Sequence, residues 1–133
     1  MELVRGRLPG RNSETRSATF TGKVWLDPVF SGDGKVINNV FFEPNARSFW
    51  HRHEHGQLLI VTQGLGYVAS REGEIFQVKQ GDLVYTPPGQ IHWHGAGPET
   101  CLGHLAISLG ATEWLDALTE KDYQAACADW DKP

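Results

Sequence analysis

The stretch Trp50-His51-Arg52-His53-Glu54-His55-Gly56-Gln57, with the later Gly81-Asp82-Leu83-Val84-Tyr85-Thr86-Pro87-Pro88-Gly89-Gln90-Ile91-His92-Trp93-His94, decides how this chain is read. A strand sends alternate side chains to opposite faces, so His51 and His53 share one side, and so do His92 and His94. Two such pairs on different strands converge where a sheet closes on itself. Imidazole is the commonest protein ligand of first-row metals. An isolated HxH pair in a strand is more often hydrogen-bonded or solvated than ligating. Accumulation overturns that here, because five of the six histidines fall in strands that would share one interior. His55 keeps the same alternation, but a turn expected at Gly56 puts it at the surface. Trp50 and Trp93 have the opposite parity and read as packing residues, while Tyr67 and Tyr85 read as ordinary strand positions.

Outward from these motifs, short apolar runs begin at Phe20 and are punctuated by Gly, Pro, Asn and Asp, the pattern of an all-β sandwich or barrel. The runs predict strands over 23–26, 36–42, 48–53, 57–62, 66–71, 75–79, 83–85, 90–94 and 102–109. Turn signals such as Ser31-Gly32-Asp33-Gly34, Glu43-Pro44-Asn45, Gln63-Gly64 and Glu72-Gly73 separate them. Residues 1–19 lack apolar periodicity and read as an N-terminal arm, residues 20–110 as one barrel and residues 111–133 as a C-terminal helical segment. In that last segment Thr112 is placed to cap a short helix with Trp114, Leu115 and Leu118 on one stripe. Thr119 and Asp122 resemble a second capping box, leading into Tyr123, Ala126 and Cys127. These helices are expected against the outside of the sheet or at a dimer contact.

Composition narrows the function classes. The 133 residues are 40% hydrophobic and 21% charged, ordinary for one globular core. A formal net charge of -4 with scattered Lys and Arg gives no basic patch, which argues against a nucleic-acid surface. No apolar run approaches the roughly 18 residues of a membrane span, and the N-terminus lacks the apolar core of a signal peptide. The two cysteines, Cys101 in a predicted strand and Cys127 in a predicted helix, lack CxxC spacing and read as free thiols in a reducing compartment, hence a cytoplasmic expectation.

The two motifs resemble those of the cupins. The first motif of that family runs Gly, five residues, HxH, three or four residues, Glu, six residues, Gly. Here Asn45, His51, His53, Gln57 and Gly64 stand in that register. The second runs Gly, five residues, PxG, two residues, His, and is matched by Gly81, Pro87, Gly89 and His92, with Ala96 where the family has a final Asn. The resemblance implies a single-domain jelly-roll β-barrel with short C-terminal helices. It also implies one divalent metal ion held by His51, His53, Gln57 and His92. Asn in place of the first Gly still tolerates a turn. Gln in place of Glu matters chemically: three neutral imidazoles and a neutral amide leave the ion close to its full double charge, a stronger Lewis acid and a better host for an anion. Carbonyl oxygen plus imidazole suits Mn first, then Fe, with Zn, Ni and Co as alternatives.

Around this sphere His94 shares a face with His92. His104, Ala106 and Ser108 share a face of their strand, as do Asn38, Val40 and Phe42. Leu105, Ile107 and Leu109 form an apolar opposite face that needs cover from a helix or a neighbouring subunit, and apolar residues on both faces of several strands, with the N-terminal arm, suggest a homodimer. His94 and His104 are candidate acid/base groups, and Asn38, Val40 and Ser108 are candidate pocket residues. The segments Phe20-Thr21-Gly22, Gly56-Gln57-Leu58-Leu59 and His92-Trp93-His94-Gly95-Ala96 are similar to the small bacterial cupins that include manganese-dependent hydroxynitrile lyases. The same subgroup is often associated with carboxymuconolactone decarboxylases. That resemblance implies reversible cleavage of a cyanohydrin to an aldehyde or ketone and cyanide. The lyases have small residues where Asn38 stands and a glutamine where Ser108 stands, so the metal site carries over better than the substrate. Alternatives from other classes are a cupin isomerase or oxygenase acting on a small oxygenated metabolite, and a non-catalytic metal- or ligand-binding cupin. The partner expected in every case is a small molecule.

Overall fold

The computed structural model describes residues 1–7 and 9–130, with side chains through residue 128. Its strands are β1 (Glu14–Arg16), β2 (Phe20–Thr21), β3 (Val24–Gly32), β4 (Lys35–Phe42), β5 (Arg47–Ser48), β6 (His51–His53), β7 (Gln57–Ser70), β8 (Ile75–Lys79), β9 (Leu83–Thr86), β10 (His92–Ala96), β11 (Leu102–Leu109) and β12 (Thr112–Trp114), followed by helix α1 (Glu120–Trp130). They wrap as an antiparallel jelly-roll barrel in the order β1-β3-β4-β11-β7-β10-β5-β2, with β6 joining β10 to β12 and both β8 and β9 pairing on β7.

The expected strands 57–62 and 66–71 are one long strand. β7 pairs with β11 and β9 in its first half and with β10 and β8 in its second, so it serves both sides of the barrel. The Gln63-Gly64 signal marks its bend: Gly64 has φ +80°, and a Cβ there would run into the Cys101 carbonyl. Conversely the expected strand 48–53 is broken into β5 and β6, and Cys101 sits just before β11 rather than within it. Asn45, in the place of the motif's glycine, takes φ +72°, the left-handed conformation that Asn tolerates. Gly56 turns the chain at φ +97° and leaves His55 exposed.

The arm 1–19 is not wholly apart from the barrel, because β1 adds to the β3 edge, with Glu14 opposite Leu26 and Arg16 opposite Val24. The helix expected from Thr112 is absent. Residues 112–114 form β12, with Thr112 opposite His53 and Trp114 opposite His51. The Leu115 amide then donates to the Trp50 carbonyl and the Trp50 amide to that of Asp116, so backbone groups a helix would use are tied to β6's approach. Only the second helix forms. Its cap is as expected, the Asp122 amide donating to Thr119 Oγ1 at 3.1 Å; residues 131–133 of the proposed helical segment lie outside the described residues.

Two apolar clusters result. One fills the barrel around Val24, Val40, Phe42, Leu59, Leu102 and Ala106. The other lies between the outside of the sheet and α1, where Tyr67, Ala69 and Trp93 meet Leu118, Tyr123 and Ala126. β10 is buried on both faces, so Trp93 points to α1 while His92 and His94 point inward. Tyr123 Oη donates to the Ala96 carbonyl at 2.7 Å, and the Arg47 guanidinium lies over the Tyr123 ring while pairing with Glu120 at 2.7 Å. The helix thereby fastens the strand that carries two site histidines. Trp50 stacks under Arg71, as a packing residue does. No helix of the described residues is long and apolar enough to cross a membrane.

Candidate metal centre

β6 and β10 are direct neighbours with His51 opposite His92, and their rings lie 4.3 Å apart. His53 follows two residues along β6 and faces the same interior. The ligating atoms of His51, His53 and His92 lie within 4.8 Å of one another, and all three side chains are buried. Each ring is oriented through Nδ1: His51 toward the Phe49 carbonyl at 2.9 Å, His53 toward Thr112 Oγ1 at 2.9 Å, and His92 toward the Gln90 carbonyl at 3.1 Å. Carbonyl oxygen only accepts, so His51 and His92 carry their proton on Nδ1 and present Nε2 as a lone pair.

Burial pushes all three imidazoles toward the neutral form. His53 and His92 fall to about 4, and His51 falls well below the ordinary value, with its neighbour His92 adding to the effect. Neutral imidazole is the metal-binding form.

Gln57, at the start of β7, completes the cluster. Its Nε2 donates to Ser108 Oγ at 3.0 Å across the β7–β11 pairing, which turns Oε1 toward His92 Nε2, also at 3.0 Å. Two lone pairs therefore face each other in a buried space, since a neutral His92 has already placed its proton on the side of Gln90. His53 Nε2 is likewise buried without a hydrogen-bond partner. A cation resolves both conditions. Gln57 Oε1 and His92 Nε2, 3.0 Å apart, are near enough for one cation to take both lone pairs. The residues fit a divalent metal, and the donor set carries no negative charge.

The cluster opens into a cavity of about 580 Å³. Asn38, Val40, Ser108 and His94 line it together with His51, His53 and Gln57, so the expected pocket residues share one chamber with three of the four expected donors, while His92 is not among the lining residues. His104 does not line it. Its Nε2 lies 3.0 Å from His94 Nδ1, and it stands behind His94, with Phe42 edge-on to His94 and tilted on His104. His94 Nε2 and His104 Nδ1 are buried without partners. Burial lowers the pKa of both rings, that of His104 to about 4, and His104 further discourages a charge on His94.

Some site residues have no counterpart in the sequence reading. Thr112 orients His53, and Trp114 lies 4.5 Å from the His51 ring at 35°, with Phe20 edge-on to it. The alternation Thr112-Glu113-Trp114 is compatible with a strand, but the capping signal at Thr112 outweighed it. Arg11 and Arg16 also line the cavity; nothing in their aperiodic surroundings marks them.

The fold and this cluster define a cupin. Residues 38–102 match the cupin domain model, and the chain belongs to the cupin family. It is 40% identical over 112 residues to an (R)-mandelonitrile lyase of Granulicella tundricola, an alignment spanning 79% of this chain and 86% of that one. It is 31% identical over 75 residues to an acireductone dioxygenase of Gluconobacter oxydans, covering 54% of this chain and 40% of the dioxygenase. Among solved structures, a cupin-like protein from Thermotoga maritima superposes with a TM-score of 0.83 at 37% identity, covering 90% of this chain and 97% of that one.

Proposed function

We propose that this cupin is a metal-dependent lyase of the hydroxynitrile lyase type, cleaving a cyanohydrin reversibly to an aldehyde or ketone and cyanide. The observation that carries the reading is the buried, charge-free donor set of His51, His53, His92 and Gln57, three of which, His51, His53 and Gln57, line one cavity with His94, whose Nε2 has no partner. The relative named as an (R)-mandelonitrile lyase supports the same reaction.

When bound, a divalent cation, Mn foremost and Fe, Zn, Ni or Co as alternatives, supplies Lewis acidity and a positive charge for the departing anion. The chain's own residues move the proton. With the shared proton on His94 Nδ1, directed at His104 Nε2, His94 Nε2 is a lone pair and takes the proton of the substrate hydroxyl. The C–CN bond breaks as the carbonyl forms, and His94 returns that proton to cyanide, so hydrogen cyanide leaves and the enzyme is regenerated. His104 fixes the orientation and tautomer of His94. Asn38, Val40 and Ser108 shape the wall against which the substituent rests.

Mn-loaded protein is expected to release benzaldehyde from mandelonitrile without consuming oxygen. Oxygen uptake with a small oxygenated substrate would instead support an oxygenase, the reading favoured by the likeness to a dioxygenase. A homodimer belongs to the same proposal. On the outer face of the sheet Leu58 stands between Tyr85 and Ile107, and Ile60 between Leu83 and Leu105, with Leu83 and Tyr85 well exposed. Cys101 and Cys127 are not joined by a disulfide, which supports a cytoplasmic location.

A further inference from the structure

We propose that the cavity takes an organic anion, a small carboxylic acid whose carboxylate is bound at the N-terminal rim by Arg11 and Arg16 while its other end reaches the histidines. This rests on the reading of the cavity as the reaction chamber and adds the chemical class of its occupant.

Strand pairing supplies the first observation. Arg16 stands opposite Val24, and cross-strand partners project to the same face. Val24 is a barrel-core residue, so Arg16 is aimed at the interior side of the sheet rather than away from it. Both Arg16 and Arg11 line the cavity shared by His51, His53 and His94. The second observation is charge. The whole chain has 16 acidic against 12 basic residues, yet the charged residues lining this cavity are the two arginines alone, with no Asp or Glu among the lining residues. The acid next to them is Glu14, whose Oε2 lies 3.4 Å from Arg16 Nη2 in a half-exposed pair. Such pairs contribute little and leave the remaining guanidinium donors free. Arg11 has no ion pair among the described residues; its carbonyl accepts a hydrogen bond from Arg7. The same wall includes Leu26, Phe30 and Val40, apolar cover for the body of a ligand charged at one end.

The test compares two probes alike except for charge, 4-formylbenzoate and 4-formylbenzamide, titrated calorimetrically into the metal-loaded protein. The carboxylate is expected to bind about tenfold more tightly, with the margin shrinking at high salt. That margin should fall to about onefold in R11Q/R16Q and return in part in R16K. R11Q alone, outside every strand, should halve the margin or more even where R16Q loosens β1. Equal affinity of the probes, or binding of neither, would overturn the proposal. So would a preference that survives R11Q/R16Q and disappears on stripping the metal, because that places the carboxylate at the histidines. Binding needs no turnover: failure to cleave mandelonitrile would sink the lyase reading and leave this preference standing.

Discussion

His104 Nε2 lies 3.0 Å from His94 Nδ1, and only His94 of the two lines the cavity. The pair is therefore ordered, with one ring toward the substrate and one behind it. Replacing His94 by Phe should lower mandelonitrile cleavage by about 10²- to 10⁴-fold with metal content unchanged. Replacing His104 by Phe should cost less, about tenfold, and act on kcat more than on KM. Steady-state rates with metal analysis of each variant check this; equal losses would contradict the ordering.

A second prediction concerns the orientation of His53. Its Nδ1 is held by Thr112 Oγ1 at 2.9 Å. Thr112→Val keeps the β-branched shape and removes the hydroxyl, so metal affinity should drop by about 10- to 100-fold while the fold is retained. Competition with a chromogenic chelator measures it.

How much of this was legible beforehand differs by residue. His51, His53 and His92 can be named because HxH spacing encodes parity in strands, and parity is local, whereas Gln57 enters through the resemblance to the cupin motif. Ser108 and Asn38 followed from the same alternation. Thr112 and Trp114 were lost because a threonine before an acidic residue and an apolar stripe is also a helix cap. What decides between them is pairing with β6, a contact some 60 residues away in sequence. The sequence predicts two strands where β7 is one bent strand, since Gly64 signals a turn equally well at a hairpin and at a crossing between two sides of a barrel. Arg11 and Arg16 carry no signal at all, as β1 is three residues long and its partner β3 sets its direction.

The neutral amide of Gln57 is open to a direct test. Gln57→Glu adds a negative charge to the donor set and removes the amide that donates to Ser108. Metal retention should hold or rise, while cyanohydrin cleavage falls by about tenfold or more as the site becomes a poorer host for cyanide. Activity equal to that of the unaltered chain would contradict the role assigned to the neutral sphere.

Acid should destabilise the metal-free protein. His53, His92 and His104 have folded-state values near 4 against an ordinary 6.5, so the unfolded chain takes up protons first as pH falls. The stability these groups contribute is complete above about 6.5 and is lost as pH drops from there toward 4, at up to about 1.4 kcal/mol per pH unit for each group. Urea denaturation of chelator-treated protein at pH 7.5, 6 and 5 should show a falling midpoint. A midpoint unchanged across that window would contradict the burial described.

The central claim is that His51, His53, His92 and Gln57 hold one divalent ion, and its most direct test is the metal content of the purified, Mn-reconstituted protein by elemental analysis. Close to one equivalent per chain is expected for the unaltered sequence and near none for His51→Ala and His92→Ala. Full occupancy in either variant, or no retained metal in the unaltered chain, would contradict it.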